Sequence, residues 1–520
     1  MSHERRITGA ATIVGAATAA SRVLGYVRDA VLAYVFGAGF QADAFFTAFR
    51  ISNLLRRLVG EGALTSSFIP IFTEEMNSRP KEGVRELASS VFSLFALILT
   101  VLTFLGIVFS EDIVRLMAPG FLADPEKFSL TVTLTKWMFP YMVFIGLMAI
   151  AMGVLNSYRH FTAPALAPIL LNLAMITSVL VVAPFISSPA YALVGGVLAG
   201  GVFQLLLQFP FLKKIGMMPK LSFKWEDQAI KRIFLLMGPA ALGIAVYQIN
   251  LFVSLWFASP LPGAVSYLYY AGRLIELPLG VFAVSVTTAV LPTLSEQVAK
   301  GDRDGVKKSL SFAVRLVNFV TIPATIGLIV LSYPIVELLF QRGEFTAQDS
   351  SGTAIAVFYY ALGLVPIAIA RILVSVFYSL KDTLTPVLIA IVAAVLNLVF
   401  CYVLVGPLAH GGLALASTLS AAVNCAFLFV ILRMKFGRFG IKEMLISGIK
   451  STAASVVMGI LVYLLAFEAF DVTGGTGKVL VMAGCLGLGL VSYIAASKLM
   501  GVTELAFLKG FLSRKAGKSA

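Results

Sequence analysis

Apolar stretches of about twenty residues or more recur from one end of this 520-residue chain to the other, each bounded by Gly, Pro or charged residues. As a helix, a stretch of that length crosses a hydrocarbon core of about 30 Å. With 59% hydrophobic and 13% charged residues, the chain holds more apolar side chain than one soluble core can bury. The expected fold is therefore an all-α polytopic membrane protein. Its first apolar block is expected to stay in the mature chain, because it carries charge mid-segment and runs well past the length of a signal peptide's apolar region.

Segmentation predicts about fourteen transmembrane helices, at approximately 8–37, 44–72, 87–110, 131–157, 162–184, 190–212, 230–258, 264–297, 310–340, 353–379, 385–405, 411–433, 444–468 and 478–498. An even number of spans puts both termini on one side. That side collects Arg79, Lys81 and Arg85, then Lys213, Lys214, Lys220 and Lys224, then Lys300 to Lys308, Arg433 to Lys442 and the basic tail. The opposite side holds only Arg115, Lys127, Arg342 and Lys478. Lys and Arg concentrate on the cytoplasmic side of short loops, so both termini are expected in the cytoplasm. The same loops account for most of the net charge of +14 as topology signals and contacts for anionic membrane lipids. No basic soluble module exists to bind nucleic acid.

Three pairs of segments match at one offset. FIPIFTEE carries Pro70 where VLPTLSEQ carries Pro292, and VLNSYRHFTAP carries Pro164 where VFYSLKDTLTP carries Pro386. IVRLMAPGF around Val114 matches IVELLFQRGEF around Val336, so each pair lies 222 residues apart. A repeat with an even number of spans is parallel. Residues 1–215 are thus expected to form one six-helix lobe, 216–228 a basic cytoplasmic linker, 229–437 a second six-helix lobe, and 438–520 a C-terminal helix pair with a basic tail. Two related lobes are the usual framework for alternating access, which makes transport the leading class. The last two helices have no partner in the repeat and are expected to line a groove or contact lipid.

Covalent chemistry finds no support. Cys401, Cys425 and Cys485 stand singly in apolar stretches, and His3, His160 and His410 lie far apart. Neither a phosphate-binding loop nor a hydrolase or metalloprotease pattern occurs. The chain is expected to be no enzyme and to need no cofactor or metal.

What stands out is charge inside the spans. SRVLGYVRDA carries Arg22, Arg28 and Asp29, the second span carries Arg50, Arg56, Arg57 and Glu61, and YYAGRLIELP carries Arg273 and Glu276. Each mid-span charge costs about 2.5 to 3.5 kcal/mol on insertion scales. Arg22 and Asp29, seven residues apart, share a helical face, and Arg28 points elsewhere unless Gly25 permits a bend. The repeat offset sets Arg273 against Ile51, beside Arg50, so both lobes place a cation at similar depth. Glu276 is spaced to orient Arg273 through an i, i+3 contact. The plainer alternatives are helix–helix salt bridges for Arg28 and Arg273, and snorkelling of Arg56 and Arg57 or pairing with Glu61. An excess of guanidinium over carboxylate implies an anionic substrate, a phosphate or diphosphate, which planar N–H forks grip well.

At SRVLGYVRDA, GAGFQADAFFTAFRISNLLRRLVGEGALTSSFIP and YYAGRLIELPLGVF the chain resembles the MurJ (MviN) family of bacterial lipid II flippases, within the MOP exporter superfamily. The resemblance extends over essentially the whole chain. It implies fourteen helices in two lobes plus a C-terminal pair whose groove holds a polyprenyl tail. The implied substrate is lipid II, an undecaprenyl diphosphate bearing the disaccharide-pentapeptide, moved from the inner to the outer leaflet of the bacterial cytoplasmic membrane for peptidoglycan synthesis. The family's central cations fall on Arg22, Arg28, Arg56 and Arg273, with Asp29 beside Arg28 and with Ser21, Asp43, Glu61, Ser266 and Glu276 at other motif positions. Some members bind sodium through acidic and amide side chains on the seventh, eleventh and twelfth helices. Here those helices offer Gln248, Asn250, Asn397, Cys401, Ser417 and Thr418 and no acid, a departure from that pattern. The membrane potential or a monovalent cation is the expected energy source, since an interior-negative potential favours outward movement of an anion, and cell-wall synthesis proteins are among the expected partners. The rival readings are a cation-coupled multidrug exporter of the same superfamily, which calls for an acid-lined cavity, and a non-transporting scaffold, which leaves the arginines dispensable.

Overall fold

Residues 3–56, 64–280, 284–437, 440–470 and 475–505 are described by the structure, a computed structural model. Every regular element among them is helical. In chain order they are α1 (His3–Phe36), α2 (Phe40–Arg56), α3 (Leu64–Ser78), α4 (Lys81–Val108), α5 (Ser110–Met117), α6 (Pro125–Met138), α7 (Tyr141–Ser157), α8 (Thr162–Thr177), α9 (Pro189–Ile215) and α10 (Gln228–Ala258). There follow α11 (Ala264–Pro278), α12 (Val284–Ala299), α13 (Arg303–Val330), α14 (Ser332–Phe340), α15 (Ala347–Ala361), α16 (Leu364–Ser379), α17 (Leu384–Phe436), α18 (Ile441–Ala469) and α19 (Thr476–Leu499). The chain packs as two compact units, Met1–Ser266 with Arg342–Phe345, and Tyr267–Gln341 with Thr346–Ala520.

The repeat is visible in where helices begin and end. α4 and α13 start at Lys81 and Arg303 and stop at Val108 and Val330; α5 and α14 start at Ser110 and Ser332; α8 and α17 start at Thr162 and Leu384. Each pair keeps the offset of 222 seen in the motifs. Even the exceptions repeat: Arg159 and Lys381, again 222 apart, adopt left-handed φ values of 58° and 60°. In each, the next N–H closes the helix end, His160 onto Leu155 O at 2.8 Å and Asp382 onto Phe377 O at 3.0 Å. This is the usual way to satisfy the last carbonyls of a helix, and glycine normally occupies the left-handed position.

Eight helices among the described residues are long and apolar enough to cross a membrane, or nine with α15 and α16 counted as one bent span. The span expected at 131–157 is present within Pro125–Ser157, α6 and α7 together, with helical φ and ψ kept at Phe139 and Pro140 although Pro140 has no N–H for the ladder. Elsewhere the breaks differ from the sequence expectation. The helix expected over 310–340 turns at Leu331 (φ −99°, ψ 17°) before α14, and the one over 353–379 bends by 43° between α15 and α16. The expected separation near 406–410 is present: α17 is two helices joined at Ala409, whose φ of 47° and ψ of −131° are not helical. Its arms approach so closely that a Cβ on Gly412 would stand 2.1 Å from Leu404 O.

In the first unit α1 packs on α8, α2 on α6, and α9 on α7 and α8, while α10 packs on α3. The short segment Arg342–Phe345 joins this unit through Glu344 N–H donating to Tyr34 O at 2.9 Å. Gly343, at φ 59°, permits that approach, since a Cβ there would lie 2.3 Å from the same oxygen. The basic linker after α9 is tied down. Lys220 N–H donates to Ser89 Oγ and Ser222 N–H to Ser93 Oγ, both at 3.1 Å. Lys224 pairs with Glu86 at 2.7 Å. Asp227, which caps α10 through Ala229 N–H, receives both terminal nitrogens of Arg79 at 2.5 and 2.8 Å.

In the second unit α13 packs on α16 and α18, and α18 on α19. The C-terminal pair is fastened to this unit at several depths. Lys478 pairs with Glu337, Tyr493 donates its hydroxyl to Phe319 O at 2.7 Å, and Arg315 Nε lies 3.3 Å from the buried Glu504 carboxylate.

Two predictions follow from this architecture. Arg159→Gly and Lys381→Gly each relieve a left-handed side chain, worth about 1 to 2 kcal/mol, against up to about 1 kcal/mol of added unfolded-chain entropy. Each is expected to raise the thermal unfolding midpoint in detergent. Separately, the Arg79 hydrogen bonds hold the Asp227 carboxyl below its usual value of 3.8. A depressed carboxylate stabilises fully above its unfolded pKa, and the contribution is lost as pH falls through the folded one. The midpoint advantage of the parental chain over Asp227→Asn, which can still cap α10, should therefore be flat at neutral pH and vanish as the pH drops below 3.8.

Candidate functional site

The charges that span insertion opposes most are resolved locally, by partners within each unit. On α1, Arg28 and Asp29 are 6% and 2% exposed. Asp29 Oδ1 accepts from Arg28 Nε at 3.0 Å and from Nη2 at 2.7 Å. The remaining terminal nitrogen, Nη1, donates to Asn172 Oδ1 on α8 at 3.1 Å, while Asn172 Nδ2 donates to the backbone carbonyl of Ser21 at 3.1 Å. Those two bonds fix the amide's orientation, because only its oxygen can face a guanidinium and only its nitrogen a carbonyl. Gly25 is not needed to bend the helix, since α1 runs unbroken from His3 to Phe36. A Cβ there would meet Asn172 Nδ2 at an ordinary 3.9 Å. Arg22 lies exposed on the same helix.

In the second unit Arg273 sits on α11 with a more open environment, its side chain 31% exposed. Its Nη1 donates to Glu276 Oε2 at 3.0 Å, the i, i+3 contact that the spacing suggests. Nη2 donates to the Tyr269 hydroxyl at 3.1 Å, and the guanidinium stands 5.1 Å from that ring's centre. The charge pattern of the span does not single out Tyr269. Its position four residues before Arg273 is the signal for one helical face.

Asp43 and Ser266 come together in a third, closed network inside the first unit. Asp43 is fully buried. It accepts from Ser266 N–H at 3.0 Å and Oγ at 2.6 Å, from Gly263 N–H at 3.1 Å and from Lys127 Nζ at 2.7 Å. Four donors saturate a carboxylate, so in this state the group is committed to the first turn of α11, where negative charge also favours the helix dipole. Lys127 departs from the sequence expectation of an outside loop charge. It is 8% exposed, and its ammonium stands 4.3 Å from the Phe121 ring centre.

The Arg56 side chain and Glu61 lie outside the described residues; α2 ends at Arg56. Of the positions that correspond to the sodium ligands of some family members, Ser417 and Thr418 give their hydroxyls to Leu413 O and Tyr359 O. Among the described residues, no three His, Cys, Asp or Glu side chains gather where they could hold a metal ion. Arg28 in the first unit and Arg273 in the second are thus alike in being held by a carboxylate and one neutral polar group.

Comparison with known proteins bears on this pattern. The family model for the lipid II flippase MurJ matches residues 32–483. A protein of Vibrio cholerae described as a probable lipid II flippase MurJ is 35% identical, over 96% of this chain and 97% of its own length. Among solved structures, a lipid II flippase MurJ in an inward closed conformation superposes with a TM-score of 0.78 at 28% identity, covering 94% of this chain and 98% of that one. An inward-facing multidrug resistance MATE transporter of the MOP superfamily shares the fold at 15% identity, with a TM-score of 0.69 over 80% of this chain and 94% of its own.

The Asp43 network supplies a test of its own. Lys127→Met leaves a buried carboxylate without its charge partner, a change that typically costs about 3 to 5 kcal/mol. Lys127→Met with Asp43→Asn removes both charges and is expected to recover much of that loss, read from the thermal midpoint and from yield in membranes.

Proposed function

This chain belongs to the MurJ family and is a lipid II flippase, and we propose that it moves its diphosphate-linked substrate from the inner to the outer leaflet of the cytoplasmic membrane by alternating access. Both termini are cytoplasmic in this reading. The observation that carries the function is the family match, which spans residues 32–483. What supports the choice of residues is chemistry: Arg28 and Arg273 are guanidinium groups within helices of the transport lobes, pre-oriented by Asp29 with Asn172 and by Glu276 with Tyr269.

Arg28 and Arg273 are the principal cations for the diphosphate, assisted by Arg22 and Arg56. A guanidinium keeps its charge in a cavity of low dielectric and offers parallel N–H donors to phosphate oxygens. Asp29 and Glu276 then act as resident counter-ions that hold each fork ready when no substrate is bound. Ser21 and Ser266 take part through the chain segments that carry them, Ser21 by the carbonyl that positions Asn172 and Ser266 by its bonds to Asp43. Glu61 belongs to the same charged set on sequence grounds. Membrane potential assists the outward step, because each elementary charge moved across it is worth about 2.3 kcal/mol per 100 mV. An interior-negative potential favours export of an anion, and the arginine excess suits that cargo better than a cationic drug.

Translocation of labelled lipid II in proteoliposomes tests the assignment. A hydrogen bond to a charged group is worth about 1.5 to 3 kcal/mol, so Arg28→Ala and Arg273→Ala, inserted at parental levels, should each lose at least tenfold in rate. Arg28→Lys should recover only part of it, since an ammonium lacks the planar fork. Parental rates in both alanine variants would overturn the site assignment while leaving the family membership intact.

A further inference from the structure

The linker between α9 and α10 holds an arrangement that substrate movement does not use. Leu221, Phe223 and Trp225 are 83%, 47% and 51% exposed. Between them, Ser222 turns inward, its hydroxyl 2.8 Å from Ser90 Oγ on α4. Three large apolar side chains thus stand on the outer side of a strap whose inner side is polar at Ser222.

The protein itself satisfies part of that strap's backbone. Ser89 Oγ accepts the Lys220 N–H, Ser93 Oγ accepts the Ser222 N–H, and Ser93 Oγ also donates to Lys220 O at 3.4 Å. A non-helical chain can approach hydrocarbon only where its peptide groups are already paired, because an unpaired group costs several kcal/mol there. The serines of α4, all three buried, meet that condition at Lys220 and Ser222. Lys213, Lys214, Lys220 and Lys231 lie exposed along and beside the strap, and Leu235 and Leu236 begin an exposed apolar side of α10 at 75% and 51%.

We propose that residues 217–225 are a membrane-surface anchor for anionic lipid: Leu221, Phe223 and Trp225 enter the boundary between head groups and acyl chains, and the flanking lysines contact the anionic head groups. Aromatic residues favour that boundary, and charge complementarity selects anionic over zwitterionic lipid. The proposal needs the chain to be a membrane protein but is independent of the diphosphate site.

The test uses the full chain with Trp137→Phe and Trp256→Phe, leaving Trp225 as the sole tryptophan, in nanodiscs whose two leaflets are alike, so that topology does not enter. Brominated acyl chains should quench Trp225 and iodide should not. Quenching should grow with the fraction of phosphatidylglycerol in phosphatidylcholine and weaken with salt. Lys220→Gln should raise the phosphatidylglycerol fraction needed by a few-fold, as a lysine near such a surface contributes about fivefold in affinity. Ser89→Ala with Ser93→Ala should release the strap and open Trp225 to iodide. If the tryptophan variants fold poorly, a nitroxide on Phe223→Cys reads the same depth by its accessibility to oxygen against a polar relaxant. Iodide-accessible, bromine-insensitive Trp225 in both lipids overturns the anchor; quenching equal in both lipids overturns its preference for anionic lipid.

Discussion

A guanidinium inside a membrane span has to bring its counter-charge with it, and Arg28 does so through its own neighbour in sequence. Asp29 takes two of its nitrogens and Asn172 a third, which turns a charge unfavourable by about 2.5 to 3.5 kcal/mol into a neutral, hydrogen-bonded group. Because Asn172 also holds the Ser21 carbonyl, the same bonds fasten α8 to α1. The rule recurs where Lys127 meets Asp43, and that network fixes the first turn of α11. Arg273 obeys it less strictly. Its partner Glu276 is 63% exposed, and an ion pair that open is worth about 0 to 1 kcal/mol.

Much of this was legible before any coordinates. Apolarity and loop charge indicated a polytopic helical fold, and three motif pairs gave the offset that the helix boundaries keep, down to the left-handed Arg159 and Lys381. The spacing of Arg273 and Glu276 gave their contact. What escaped depended on distant partners or on backbone geometry. Asn172 meets Arg28 across 144 positions, and nothing near an asparagine in an apolar helix announces that. Lys127 looks like any loop cation until α2 is folded against α6, when Asp43 becomes its partner. The turn at Leu331 is invisible to hydropathy because apolar stretches flank it on both sides.

The linker shows how one pattern can carry two messages. Its lysines, counted with others, locate the cytoplasmic side; the same residues flank an outward row of Leu221, Phe223 and Trp225. Ser89, Ser90 and Ser93 of α4 face that linker. In the structure they replace water for an irregular backbone, which makes the linker a fixed strut leading into α10. α10, first helix of the second sequence repeat, accordingly packs within the first unit, with Arg232 on Glu74 and Phe234 stacked on Phe95 at 5.3 Å. Covalent order and packing order diverge at this helix because its ion pairs and ring contacts lie with α3 and α4.

Resident counter-ions also bear on how a carrier can turn over. For a diphosphate to take Arg28, its oxygens must displace Asp29 or share the guanidinium with it, so the free energy of binding is a difference between two charge-assisted sets of bonds. An arginine without a partner would bind the anion more tightly, and would raise by the same amount the barrier to letting it go. A carrier gains nothing from tightness that is equal in every conformation, because only differential affinity shifts a conformational equilibrium. Asp29 keeps Arg28 oriented at 2.7 Å and lowers its net attraction for a passing anion, while Glu276, the more exposed of the two carboxylates, offsets the charge of Arg273 less. The two guanidinium groups therefore differ in setting, one buried against its carboxylate and the other more open beside an exposed one, so displacing the resident counter-ion would cost more at Arg28 than at Arg273.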